Sequence, residues 1–253
     1  MKNRWSWLAL GVGAYLVFTL STFPAGTAVH LFAPPEAALD GIQGTVWSGS
    51  ASSGTIGGLP VQDLRWHVRP WTLLTGRVGA NLEARLADGF LNTGFTASTS
   101  RVQFSDLRGG TSLATVASVL PLRGMSGQVS VALSSLEIEK GWPARVVGEL
   151  KLAALQIAPF IPSGNSAKLV PLGDYTVTFG EAPARSVSAR FIDNGGPLEV
   201  AGTLGLSAAR EYTFDALIKP RDTASRELVD GLNVMTSDPD ENGRRRLTLT
   251  GSL

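Results

Sequence analysis

From residue 41 onward the apolar residues of this chain return at every second position. Leu64, Trp66 and Val68 alternate with Arg65, His67 and Arg69. In an extended strand successive side chains point to opposite faces, so this spacing gives one ribbon a greasy face and a wet one. The pattern recurs in Val78, Ala80, Leu82, Ala84 and Leu86, in Val102 and Phe104, and in Val129, Val131 and Leu133. It continues through Val146, Leu150 and Leu152, then Tyr175, Val177 and Phe179, then Val187, Ala189 and Phe191. Towards the C-terminus come Leu198, Val200, Leu204 and Leu206, then Tyr212, Phe214, Ala216 and Ile218, and last Leu247 and Leu249. Gly109-Gly110, Asn194-Gly195-Gly196-Pro197 and Asp238-Pro239-Asp240 carry turn chemistry between runs. Many one-sided strands in series make a mainly β protein, a large curved antiparallel sheet that is half-open or sandwich-like.

Helices are expected to be few and short. One is predicted over 112–122, ending before Pro121, and another over 222–235, where Asp222 or Thr223 caps and Leu228, Leu232 and Met235 share a face. Gly231 weakens the second by up to about 1 kcal/mol relative to alanine. The stretch 154–171 holds three prolines and reads as a long connection, the candidate internal boundary of the β region.

The other constraining feature is N-terminal. Lys2 and Arg4 precede WSWLALGVGAYLVFTLSTF, residues 5–23, which contains no charge. As a helix this run is roughly 28 Å long, close to the ~30 Å hydrocarbon thickness of a bilayer. The flanking cations keep the N-terminus in the cytoplasm and send the rest across. The expected layout is a cytoplasmic N-terminus at 1–4, a transmembrane anchor at 5–23, a linker at 24–40 and a periplasmic β domain at 41–253. A cleaved signal peptide is the competing reading, with Gly26 and Ala28 as small residues at a permissible spacing, but the apolar run exceeds the usual h-region of about 7–15 residues. Ala9 and Gly13 form a small-xxx-small pair of a kind common by chance.

Composition narrows the partners. Of the 253 residues 43% are hydrophobic, enough to bury a core, and the 22 Lys+Arg against 21 Asp+Glu leave no footprint for nucleic acid. The absence of cysteine excludes disulfides and thiolate chemistry.

The stretch GTVWSGSA, residues 44–51, followed by LRWHVRPWTLLTGRV, residues 64–78, resembles protein N of the bacterial type II secretion system. Residues 217–253 are similar to the family's terminal pattern: a strand, a proline, a helix, an acidic Gly-containing turn, and a last strand closing on Gly-x-Leu. The residues that carry the resemblance are Gly44, Trp47, Gly49, Trp66, Pro70, Trp71, Gly76, Pro220, Gly243 and Gly251. All are read as structural. The resemblance implies an accessory, non-enzymatic secretion component, anchored in the inner membrane of a Gram-negative envelope and touching other secretion components. In this reading Val46 and Trp47 belong to the first strand and the indole covers an open end of the apolar face. A wider resemblance, to AsmA-like periplasmic β proteins, implies the alternative of a lipid-binding or lipid-transfer protein whose trough receives acyl chains.

Other signals carry less. Asp238, Asp240, Asn242 and Gly243 copy the opening of a calcium loop, but Leu249 stands where a bidentate Glu belongs and Arg244, Arg245 and Arg246 repel a cation, so the segment reads as a turn. His30 and His67 lie far apart with no partners at motif spacing. Ser126, in Gly124-Met-Ser126-Gly127, falls short of a nucleophile elbow, and Gly11-Val-Gly13 lies in the anchor. No catalytic site, metal or cofactor is expected.

Overall fold

Alternating spacing becomes fourteen strands hydrogen-bonded into one antiparallel sheet. The structure is a computed structural model that describes residues 2–32, 37–117, 124–158, 169–183, 185–236 and 238–252. Two helices lead in, α1 (Lys2–Ser21) and α2 (Ala25–Phe32). The first strands are β1 (Ala37–Asp40), β2 (Gln43–Gly44), β3 (Ser48–Ile56) and β4 (Leu59–Arg69), followed by a 3-10 turn (Pro70–Thr75). The centre holds β5 (Val78–Leu86), β6 (Gly89–Ala97), β7 (Arg101–Ser112), the short helix α3 (Leu113–Val116), β8 (Met125–Glu139) and β9 (Trp142–Ile157). The last part comprises β10 (Val170–Gly180), β11 (Val187–Asp193), β12 (Leu198–Leu206), β13 (Glu211–Pro220), helix α4 (Arg226–Met235) and β14 (Arg245–Ser252).

Each strand from β3 to β14 pairs with its sequence neighbour, and β1 and β14 form the two edges. The sheet is open. A globular monomer of this mass exposes about 10,700 Å², whereas this 26.6 kDa chain exposes 16183 Å². The residues 159–168 of the proposed boundary lie outside the described residues, and the strands on either side, β9 and β10, pair with each other.

Curvature comes from β-bulges. The registers of β4–β5, β6–β7, β8–β9 and β9–β10 all shift along their length. Three strands carry a left-handed non-glycine residue at such a place: Asp63 (φ 47°), Asp106 (φ 50°) and Ala154 (φ 49°). Each adds one residue, so the inward side chains fall three apart: Val61 and Leu64, Phe104 and Leu107, Leu152 and Leu155. The extra residue bends the strand and keeps both neighbours on the apolar face. Gly109 and Gly110, expected in a turn, lie within β7, where a side chain at Gly109 would meet the Phe90 carbonyl oxygen at 2.9 Å.

The largest buried cluster sits towards the C-terminal edge, where Leu113 of α3 and Leu228 and Leu232 of α4 join Leu155, Tyr175, Val200 and Ile218. Helix α4 starts later than expected. Its cap is Ser225, whose hydroxyl accepts from Leu228 N–H, and Met235 is 48% exposed where a third core contact was predicted. Smaller clusters lie under β3–β5, around Ala51, Val61 and Leu64, and under the centre, around Leu133, Val146 and Val187. The predicted helix over 112–122 is only the single turn α3 within the described residues, since 118–123 lie outside them.

Candidate functional site

Antiparallel succession gathers alternate connections at the same end of the sheet. One end receives the exit of α1, the 3-10 turn, and the loops 98–100, 140–141, 181–186 and 207–210. The joint between helix and sheet is made by GTVWSGSA. Thr45 bridges to Pro24, the Val46 N–H donates to the Phe23 carbonyl at 3.0 Å, and the Trp47 indole N–H donates to the Leu20 carbonyl at 2.7 Å. Leu20 belongs to the last turn of α1, and its carbonyl otherwise accepts only a long 3.5 Å bond from the Phe23 N–H, so the indole caps the helix. Val46 and Trp47 are thus not in a strand: they form the bend between β2 and β3, because their polar groups are taken by the helix exit and, at the Trp47 carbonyl, by the Val68 N–H at 2.7 Å.

A second indole closes the joint from behind. Trp66 lies opposite Gly49 and donates from its ring N–H to the Thr45 carbonyl at 3.3 Å. A side chain on Gly49 would occupy the space of the Trp66 ring. Gly44 has φ +90°, and a Cβ there would stand 2.6 Å from the Ser48 carbonyl oxygen, so both the conformation and the space demand glycine. At the end of the same strand β4, Pro70 opens the 3-10 turn and Gly76 ends it in the left-handed conformation (φ 70°), leaving Trp71 77% and Leu74 85% exposed.

The remaining predicted residues stand at the opposite edge. Pro220 ends β13 opposite Leu198. Gly251 pairs with Tyr212, and a methyl there would come within 2.7 Å of the Tyr212 ring. Gly243 (φ 73°) donates its N–H to the Asp240 carbonyl in the turn before β14. In that turn one carboxylate oxygen of Asp240 accepts from the Asn242 and Arg244 N–H groups at 2.9 and 2.8 Å, while Arg244 pairs with Glu199. Asp240 thus organises backbone together with Asn242, and among the described residues no group of His, Cys, Asp or Glu, Asp238 included, is placed to hold a metal ion.

Sequence reasoning missed three tethers. Asp88 accepts from the Thr111, Ser112 and Thr115 groups that begin α3, and those hydrogen bonds hold its carboxyl well below the ordinary carboxylate range. Asp193 pairs with Arg221 at 2.7 Å. Burial pushes its carboxyl up, but hydrogen bonds from the Val200 N–H, Arg221 and the Gly195 N–H outweigh burial and leave it below its usual value. Arg221 also donates to the Gly196 and Leu198 carbonyls, and Tyr175 beside this knot is pushed up to about 12 by burial and by the Asp193 charge, partly offset by Arg221. Trp142 donates to the Ser207 carbonyl and has the Arg210 guanidinium 5.8 Å above its ring. An acid beside a turn is the only sequence signal for the first two, and it does not name its partner.

Comparison with known proteins identifies a family. The family model described as type II secretion system (T2SS), protein N matches residues 35–248. The type II secretion system protein N of Aeromonas hydrophila is 26% identical over 262 aligned residues that cover 100% of both chains. No solved structure matches the chain significantly. The family match begins just after the helices and runs through the sheet into its last strand, and on that extent the chain belongs to the type II secretion system protein N family.

Proposed function

We propose that this family member is an accessory, non-enzymatic part of the secretion machine, held in the inner membrane by α1 with its sheet in the periplasm. Among the described residues no helix is long and apolar enough in mean hydropathy to cross a membrane. Lys2 and Arg4 fall within α1 and leave an uncharged stretch of about 17 residues, at the lower limit of a spanning helix. What supports an anchor is the spread of apolar side chains among the described residues of α1. Trp7, Leu10, Val12, Tyr15, Val17, Phe18 and Leu20 point in all directions around α1, and each is more than half exposed. Three hydroxyls at its exit turn back onto its own carbonyls, as a non-aqueous setting favours: Thr19 donates to Tyr15 O, and Ser21 and Thr22 donate to Phe18 O.

Contacts to other secretion components are assigned to the open edges. β14 leaves one row of its backbone groups without a neighbouring strand among the described residues and ends the sheet, a template for strand addition. The single observation that carries the proposal is the apolar helix fastened by Trp47 to an open, one-layer sheet. Deleting the gene should lower export of folded periplasmic substrates, and crosslinkers placed along β14 should reach secretion components. Unchanged export would overturn it. A second reading, an envelope protein that takes lipid acyl chains on the apolar face, draws on the large exposed area and on the helices α3 and α4 covering only one part of that face. For that reading deletion should disturb outer-membrane permeability and leave export intact.

A further inference from the structure

We propose that the end of the sheet carrying α1 is a lipid-facing rim that rests on anionic headgroups and inserts Trp71 and Leu74 beside the anchor. The inference rests on α1 being a membrane anchor and adds a second contact to it.

Topology fixes which residues meet there. The Trp47 carbonyl accepts from the Val68 N–H, and the 3-10 turn begins two residues later, so the turn stands beside the helix exit. Its Trp71 and Leu74 are, among the described residues, the most exposed large apolar side chains of the sheet and its connections, at 77% and 85%. An exposed indole beside an exposed leucine matches the interface of a bilayer, where the ring lies at headgroup level.

The charges of the same end are arranged in two tiers. Arg69, Arg77, Arg101, Lys140, Arg185 and Arg210 are all exposed on its loops and strand ends. Glu137 and Glu139 are set back, with side chains 19% and 17% exposed, while their partners Arg101 and Arg185 remain 53% and 65% exposed. Arg145 pairs with the exposed Glu181, and Glu211 is the remaining acid of this end. The recessed carboxylates therefore orient guanidinium groups outward. These pairs and the Trp142–Ser207 bond also lace the loops of β7 to β13 into one border.

The opposite end is more acidic. Its described connections expose Asp88, Asp222, Glu227, Asp230, Asp240 and Glu241, with Asp238 among them, against Arg226, Arg244 and the half-buried Arg221, and its strand ends add Arg85, Lys219 and Arg245. A negative surface therefore attracts the first end more strongly than the second. Each cation held near an anionic membrane raises partition by about fivefold.

The chain has no cysteine, so single-cysteine variants of the full-length protein carry one spin label each. Leu74→Cys reports the rim, Val12→Cys the anchor, and Val234→Cys, 76% exposed in the original protein, the far end. The protein is placed in zwitterionic vesicles with and without about one third phosphatidylglycerol, and each label is probed with oxygen and with an aqueous nickel chelate. The label at 74 should become oxygen-accessible and chelate-protected, more so with anionic lipid, while the label at 234 stays in water. Reversing Arg77 and Lys140 together to Glu should weaken the anionic-lipid effect by about 25-fold or more. A label at 74 as chelate-accessible as that at 234, or one indifferent to anionic lipid, overturns the rim. The label at 12 judges the anchor separately: if it lies in lipid while 74 is aqueous, only the rim has failed, and if it is aqueous, the anchor has failed.

Discussion

The two ends of the sheet are closed by different means. At the far end the chain closes itself: α3 and α4 bring Leu113, Leu228 and Leu232 into the main buried cluster, and Asp88 and the Asp193–Arg221 knot pin the connections. The end that receives α1 has half-buried indoles, backbone bonds and exposed cations in their place. Buried area stabilises one end, and hydrogen bonds and surface ion pairs hold the other. An open sheet can thus be closed by packing where it faces away from the joint and by polar contacts where it meets it.

The largest effect should come from emptying the closed end. Leu228 is 1% exposed, and Leu228→Ala should cost about 3 kcal/mol, read as a lower urea midpoint. A loss below about 1 kcal/mol would mean that α4 is not a true lid and the contrast between ends is false. Next comes Asp193→Asn, which leaves a guanidinium and several N–H donors without their carboxylate and should cost about 2 kcal/mol at neutral pH. The pH dependence has a definite sign. The folded carboxyl titrates below the unfolded value of about 3.9, so its contribution is complete above that value and is lost as pH falls through the lower, folded pKa. The variant and the original protein should therefore converge in stability in strong acid.

At the end that receives α1 the expected effects are smaller and local. Trp47→Phe keeps an aromatic ring but loses the pyrrole half of the indole together with the N–H that caps Leu20, a hydrogen bond worth about 1 kcal/mol on a side chain that is only half-buried. The global midpoint should hardly move, while the amides of Val46 and Val68 should exchange faster with deuterium. A global loss as large as that of Leu228→Ala would abolish the distinction between a closed and an open end.

The sequence made the strands legible because a one-sided sheet writes its face at period 2, and the buried positions follow that period through β11 and, from Ala80 onward, through β5. The joint was half legible. An isolated indole among glycines signals a close approach, and Gly49 against Trp66 is one, but no local pattern tells that Trp47 reaches back 27 residues to Leu20. The cap of α4 was missed locally, since Ser225 lies two or three residues beyond the expected Thr223 or Asp222, whereas Gly109-Gly110 spells a turn yet packs inside a strand against Phe90, a partner distant in sequence. Bulges were hidden for a different reason. A single inserted residue turns the spacing from two to three, so the readings of β7 and β9 stop at Phe104 and Leu152, just short of Asp106 and Ala154.

Those bulges supply the smallest effect and a link between the two ends, because they curve the sheet that separates them. Ala154 holds φ 49°, where its Cβ crowds the following carbonyl, and its N–H is fixed by the Asp174 carboxylate at 2.7 Å. Glycine occupies this conformation without the crowding, although its greater freedom in the unfolded chain offsets part of the gain. Ala154→Gly should therefore raise stability by roughly 0.5 kcal/mol, seen as a slightly higher urea midpoint at unchanged slope. Proline at the same place forbids the required φ and deletes the bond to Asp174, so it should flatten the bulge and loosen Leu155 from the main cluster. If the glycine variant is instead destabilised, the left-handed bend is imposed by neighbours that need the alanine methyl, and the curvature belongs to packing and not to the strand itself.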